Sequence, residues 1–439
     1  MFSYYLANAM RSMRRNPALT VLVGVAIALG IGVSITMLTL YYIMASNPIP
    51  DKSDVLYRVQ VDSWNPLRPF DEDRPERAPH QMTWQDVNNL LEHAPAAEQV
   101  GMFTARLIVQ PDGEAKLPFE VSARVASSGF FPMFEPPMLY GSGWDKRAER
   151  EGAQVIVINR EINERLFGGI DSTGMEISVN GRQFTVVGVM DDWAPVPRFY
   201  DVVESGLNEV EEVFIPLSLT PSMEIYSAGS DWGWKPEDIR SFEDWLNSES
   251  CWLQFWAYLP TREDREAYRA HLDAYVMEQK TLGRFGRPLN NHIHSVMEWM
   301  AYMEVVEDDV SVLVGLGFMF LVVCLLSSIS LLLTKFNGRA PEMSLRRALG
   351  ANRFQVISQN LVEVGLIGAA GGVIGIVLTL ISLETLRSML PMAPGALFEM
   401  DWVMMGTAVG VAVATSLIAG IYPAVKATAI SPAQQLKTQ

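Results

Sequence analysis

Residues able to do chemistry are few in this chain, and their surroundings argue against most of the reactions they could carry out. ATP hydrolysis would need a GxxxxGK[ST] run, whose backbone N–H groups cradle the phosphates while the lysine reaches them. None occurs, and the glycine-rich stretch 168–174 lacks the lysine and reads as a helix stop. His292 and His294 could ligate a metal, but no Cys, His or Asp set accompanies them at ligand spacing. They read as solvated loop histidines, and no metal is expected. Cys251 has no credible histidine partner and reads as a buried core thiol. Asp191 and Asp192 form a carboxylate pair, yet they follow a hairpin and read as a solvated turn. The chain is expected to be non-catalytic and to bind no cofactor itself.

Two other groups suit contact rather than catalysis. Trp232, Trp234 and Trp245, close to Trp252 and Trp256, lie in or beside a Trp-, Gly- and Asp-rich stretch that looks like an insertion. An aromatic set of this kind either grips a substrate or partner protein or packs a core. The second group is basic: Lys335, Arg339, Arg346, Arg347 and Arg353, with Glu342 as the only acid among them, between two apolar runs. Taken by themselves, Arg346 and Arg347 read as cations reaching anionic lipid head groups. Glu363, just inside the next apolar run, is costly if it faces lipid. It either pairs with an arginine of the basic segment and transmits motion, or anchors its helix.

The elements that must position these residues follow from hydropathy and charge. The hydrophobic fraction of 49% is high for a soluble protein. Residues 45–310 carry 23 Lys+Arg against 45 Asp+Glu, whereas the remainder carries 11 against 5. An acidic middle between basic ends fits an extracytoplasmic domain held by membrane segments and argues against nucleic acid. Four apolar runs are long enough to span, at 17–45, 310–334, 361–383 and 402–422. The first is about twice the ~7–15 residues of a signal-peptide core, so it is expected to be retained. Arg11, Arg14 and Arg15 in an amphipathic lead-in (1–16), with the basic segment 335–360, place the N-terminus, that segment and the tail 423–439 in the cytoplasm. The loop 384–401 then returns outside. Gly24, Ala28, Gly32 and Thr36 give the first span a small-residue face, and Gly368/Gly372 and Gly371/Gly375 give the third span two such pairs.

The middle domain, 46–309, has mixed α/β patterning. Residues 55–61 alternate as a strand, and Thr83 to Asp86 and Thr261 to Asp264 each cap a helix. Asn159 caps a helix stopped at Gly168 and Gly169, and Asn180-Gly181 predicts a type I′ hairpin. Residues 251–259 alternate, with Leu253, Phe255 and Ala257 opposite Trp252, Trp256 and Tyr258. A helical pattern from about residue 294 runs into the second span. Unbroken to Lys335, it would form a rod of ~60 Å. The fold class expected is a membrane protein of four transmembrane helices with a large α/β extracytoplasmic domain.

Three phrases of this sequence resemble the MacB/FtsX type of ABC transporter permease. They are PEMSLRRALGA from Pro341 with Asn360-Leu-Val-Glu363, the pattern ARVASSGFF to ISVNGRQFTVVGVMDD across 123–192, and the closing YPAVKATAISPAQQL, whose Tyr-Pro-Ala turn should precede a short cytoplasmic helix. The resemblance implies that Glu342, Leu345, Arg346, Arg347, Ala348, Leu349 and Gly350 form the coupling helix that docks on an ABC-type ATPase. The family's Glu-Ile-Gly stands here as Glu342-Met-Ser344. It further implies a bacterial inner-membrane location and an ATPase dimer that binds ATP and Mg. A second permease subunit, identical or paralogous, follows, with a periplasmic adaptor and an outer-membrane channel as further partners. The expected function is mechanotransmission for efflux of peptides or hydrophobic drugs. The alternatives are an FtsX-like regulator of a cell-wall hydrolase and a Lol-like lipoprotein-releasing permease.

Overall fold

The computed structural model describes residues 2–111, 117–203, 206, 208–305, 308–389 and 402–429. The chain divides into a helical unit, residues 1–45 and 306–439, and a sheet unit, residues 46–305. It begins with α1 (Phe2–Arg15) and α2 (Pro17–Ala45). The sheet unit follows with β1 (Leu56–Gln60), α3 (Trp84–His93), β2 (Gln99–Gln110), β3 (Phe119–Ala126), α4 (Phe130–Phe134) and β4 (Met138–Gly141). Next come α5 (Lys146–Glu151), β5 (Val155–Asn159), α6 (Arg160–Phe167), β6 (Glu176–Val179), β7 (Arg182–Met190) and β8 (Val213–Pro216). Then follow α7 (Thr220–Met223), α8 (Phe242–Leu246), β9 (Gln254–Tyr258), α9 (Arg262–Thr281), β10 (His292–Ser295) and α10 (Val296–Tyr302). The helical unit resumes with α11 (Asp308–Asn337), α12 (Ala340–Ala348), α13 (Arg353–Met389) and α14 (Trp402–Ala429).

The strands form one mixed sheet in the order β10-β1-β9-β2-β3-β8-β5-β7-β4. β3–β8 and β5–β7 pair parallel, and β6 pairs antiparallel with both β2 and β7. That double pairing closes β2, β3, β8, β5, β7 and β6 into a circuit. Local signals set the corners. Asn180 and Gly181 take φ of 48° and 76° in the β6–β7 hairpin, where only residues tolerant of positive φ fit. The Asn159 side chain accepts from the Ile162 N–H at 2.8 Å to start α6, and Gly168 at φ 70° ends it.

The sheet is covered on both faces. Val87 and Leu90 of α3, Phe242 and Trp245 of α8, and Tyr268 and Leu272 of α9 pack with Tyr57, Val59 and Phe255 in one core. Phe130, Met133 and Phe134 of α4 pack with Phe199, Tyr200, Trp256 and Trp299 in the other. The second core also buries charge. Arg124 Nη2 donates to Asp201 Oδ2 at 2.8 Å and to Glu211 Oε1, and Arg198 Nη1 donates to the same Glu211 oxygen at 2.7 Å. Tyr200 and Gln254 complete the two carboxylates at 3.1 and 2.9 Å.

Several expectations need correction. The ~60 Å rod does not form. Residues 292–295 are strand β10, α10 ends at Tyr302, and Glu304 takes a left-handed φ of 53°. Arg74 and Arg77 both reach the Glu304 carboxylate there, Arg77 at 3.0 Å. His292 and His294 are half-buried on that edge strand, stacked on one another at 5.4 Å and beside Tyr302, rather than solvated in a loop. Trp252 leaves the Trp256 face because the regular strand starts only at Gln254, so it joins the α3/α8/α9 core. In the helical unit α13 begins eight residues before position 361 and continues to Met389, so residues 384–389 are helix rather than loop. Tyr422-Pro-Ala is not a turn, since α14 passes through Pro423 to Ala429. Residues 390–401 and 430–439 lie outside the described residues.

His80 shows how the second face responds to acid. It stands edge-on to Phe70 at 5.0 Å. Its imidazole is held down to about 4 by burial first, then by the charges of Arg77 and Arg58, with Asp71 acting the other way. Because the folded value lies below the ordinary 6.5, its contribution is fully present above pH ~6.5 and is lost as pH falls toward 4. The loss amounts to about 3 kcal/mol at most. Thermal unfolding followed by tryptophan fluorescence is expected to show a Tm that drops across this window, and a shallower drop in His80→Gln.

Candidate functional site

The site is built where α1, the ends of α11 and α12, and the start of α13 meet. Asn16 separates α1 from α2, and Pro17 begins α2 where its missing N–H costs nothing. Lys335 lies in the last turn of α11, where a cation complements the helix dipole. Gly338 and Arg339 turn the chain into α12, which carries Glu342 in its first turn and Arg346 and Arg347 in its last.

Glu363 of α13 is the hub, with no exposed surface. Its Oε1 pairs with Lys335 Nζ at 2.7 Å and accepts from Ser12 Oγ at 2.6 Å, and its Oε2 accepts from Arg339 Nη1 at 3.0 Å. Arg339 also donates to Ser12, and Lys335 donates to Thr20 Oγ1 at 2.7 Å. α1, α11 and α13 are thereby tied through one carboxylate, Arg339 adds the α11–α12 turn, and Lys335 links α2. A second layer lies beside it: Glu342 receives Arg346 at 2.9 Å and Arg15 at 3.2 Å, and Arg346 also reaches Gln359 at 2.9 Å. Arg347 donates to the Thr428 carbonyl of α14 at 2.8 Å.

The candidate coupling residues therefore divide in two. Arg346 and Arg347 brace α12 against its neighbours from within the helical unit. Leu345 and Leu349 are 60% and 80% exposed, and Phe354 at the start of α13 is 74% exposed. Ala348 closes α12, and Gly350 follows at φ 102°, a conformation that a side chain would strain. The end of α12 and the start of α13 thus present an apolar ledge beside an ion-paired brace.

The glycines of α13 fall on two flanks. A Cβ on Gly371 or Gly375 would stand 3.1 or 3.2 Å from the carbonyl oxygens of Gly24 or Ala28 on α2. On Gly372 it would stand 2.8 Å from the Ala412 Cβ of α14, and on Gly368 it would overlap the Ser416 hydroxyl. Thr379 Oγ1 hydrogen-bonds the Gly32 carbonyl at 3.2 Å.

The tryptophans do not form one surface. Trp245 is only 6% exposed, stacked on Trp252 at 4.2 Å with its Nε1 donating to Asp231 at 2.8 Å, so it is core. Trp232 is 46% exposed but bridges the Cys251 backbone and meets Phe70 at 5.9 Å. Trp234 is half-buried with Lys235 over its ring. Sequence reasoning missed Ser12 and the Arg124 network. A serine in a basic amphipathic helix gives no signal. Arg124, flanked by Ala123 and Val125 in an apolar strand, did give one.

Residues 20–275 match the MacB-like periplasmic core domain family, and residues 314–432 match the FtsX-like permease C-terminal family. The chain belongs to this class of ABC transporter permease, a multi-pass membrane protein with an extracytoplasmic sheet unit, and the class works with an ABC ATPase. It is 23% identical over 322 residues to the macrolide export ATP-binding/permease protein MacB of Marinobacter nauticus, covering 72% of this chain and 44% of that protein. The MacB of Nitrosomonas europaea is 25% identical over 354 residues, covering 80% and 44%. The chain thus spans less than half the length of these curated relatives. Among solved structures, the periplasmic region of MacB from Actinobacillus actinomycetemcomitans aligns at 12% identity and a TM-score of 0.35, covering 58% of this chain and 94% of that one.

Replacing Glu363 leaves the buried Lys335 without its counter-charge and Arg339 with only Glu342 at 3.8 Å, a change worth about 3–5 kcal/mol in comparable pairs. Glu363→Ala is expected to lower the Tm of the detergent-solubilised chain by several degrees, whereas Ser12→Ala lowers it by a fraction of that. Equal and negligible shifts in both variants would count against the hub.

Proposed function

We infer that this chain is the permease subunit of an ABC-type efflux system and that the ledge of Leu345, Leu349 and Phe354 receives the ATPase. The observation that carries the reading is a set of three large exposed apolar side chains, Leu345 on α12, Leu349 just past its end and Phe354 at the start of α13, beside Arg346 and Arg347, which are engaged within the helical unit. Apolar anchors set on a rigid, ion-paired element are what a protein interface uses as its centre. In this reading the ledge faces the cytoplasm with both termini, and ATP and Mg are bound by the ATPase alone.

The stroke follows from the connections. ATPase closure moves α12, and the Glu342–Arg346–Gln359 and Arg339–Glu363–Lys335 links carry the displacement into α13, α11 and α1. Two ATPase faces need two permease subunits, identical or paralogous. Peptides or hydrophobic drugs are the cargo we favour, delivered to a periplasmic adaptor and an outer-membrane channel.

Co-purification with a co-expressed ABC ATPase from the same organism tests the reading. Wild type is expected to retain it, and Leu345→Asp/Leu349→Asp to lose it with an unchanged Tm. Arg346→Glu/Arg347→Glu loses it too, but with a lowered Tm, because those side chains brace α12. Full retention by the leucine variant would refute the ledge as the docking surface.

A further inference from the structure

A cavity of about 770 Å³ opens in the sheet unit between α3 and α5, over the ends of β2, β3 and β8. Its size falls within the ~300–1,000 Å³ of small-molecule sites. Trp84, Leu91, Leu217 and Pro221 supply an apolar wall, and Glu149 of α5 lines it as well. Two donors fix the Glu149 carboxylate: the Trp144 indole N–H on Oε2 at 2.7 Å and the Ser218 N–H on Oε1 at 2.8 Å.

The carboxylate is half-buried against the cavity and has no cation beside it, whereas the deeply buried acids of the same chain each have one. Asp62 has Arg287 at 2.9 Å, Asp86 has Arg284 at 2.8 Å, and Asp201 has Arg124 at 2.8 Å. Glu211 has Arg198 at 2.7 Å and Glu363 has Lys335 at 2.7 Å. Among the described residues no lysine or arginine lies within 4.0 Å of Glu149. The two cations at the cavity mouth do not serve it, since Lys146 is held by Glu98 at 3.0 Å and Arg150 is exposed to solvent. Hydrogen bonds orient a carboxylate without neutralising it. Burial accordingly pushes the Glu149 carboxyl above the ordinary range, against the pull of its donors.

We propose that this cavity binds a small organic cation, a primary ammonium on an apolar body, with the ammonium paired to Glu149 and the body against Trp84 and Leu217. An ammonium supplies the missing counter-charge and three donors, and the ring of Trp84 offers an apolar and cation-tolerant face. A neutral ligand would leave the Glu149 charge without a partner, and an anion reaching Trp84 and Leu217 would lie against the carboxylate. The excess of acidic groups over residues 45–310, 45 against 23 basic, raises the local concentration of cations around the unit. The site is independent of the ATPase ledge, so either can fail alone.

Equilibrium dialysis of phenethylamine against the full chain in detergent at pH 7, with protein-free micelles as the blank, tests this. Wild type is expected to bind saturably at one site per chain, and N-acetylphenethylamine, which lacks the charge, to compete at least ~10-fold more weakly. Glu149→Gln should weaken phenethylamine by a similar factor. Ala97→Trp, an exposed position on the cavity wall where added bulk burdens no core, should block binding with Tm unchanged. No saturable binding by wild type, equal binding of the acetylated probe, or wild-type binding by a folded Ala97→Trp or Glu149→Gln variant would each overturn the proposal.

Discussion

A carboxylate with no exposed surface in an apolar bundle is costly unless cations meet it, and Glu363 is met by two. Removing three charges from water is expensive, and an apolar substitute of similar shape would often be as stable. What the ion cluster fixes is register. Lys335, Arg339, Ser12 and Glu363 reach one another at a single relative setting of α1, α11 and α13, and Thr20 adds α2. The apolar faces of those helices carry no such instruction, because one leucine contact slides into the next at little cost. The position of α12, and with it the exposed ledge, rests on that setting.

The sheet unit obeys the same rule. Arg124, Arg198, Asp201 and Glu211 sit together under Tyr200 on one face of the sheet, each carboxylate met by two guanidinium groups. Glu149 differs: it is half-buried, lines a cavity, and has no cation within salt-bridge distance among the described residues.

Local signals were legible in the sequence wherever the cause was local. Asn180-Gly181, the Asn159 cap and the Thr261 capping box are each decided within a few residues, and the structure shows all three. Four apolar runs were equally plain, because span length follows from membrane thickness. The rest depended on partners far along the chain. Arg124 meets Asp201 and Glu211 across 77 and 87 residues, and Ser12 meets Glu363 across 351. The break after Tyr302 was hidden for the same reason: Arg74 and Arg77 hold Glu304 across 230 and 227 residues, where helical periodicity alone predicted continuation.

The two glycine pairs of α13 have a mechanical meaning. Gly368/Gly372 and Gly371/Gly375 are offset by three residues, so their flanks lie roughly 60° apart around the helix axis. One flank is seated against the α2 backbone and the other against α14, each at a separation that admits no Cβ without displacement. A shaft keyed on two adjacent sides cannot spin, because any twist would drive a neighbouring valine or isoleucine into one of the slots. What remains free to α13 is tilting or axial sliding together with α2 and α14. Force applied at its Arg353 end therefore arrives at its Met389 end as displacement, with little dissipated as rotation.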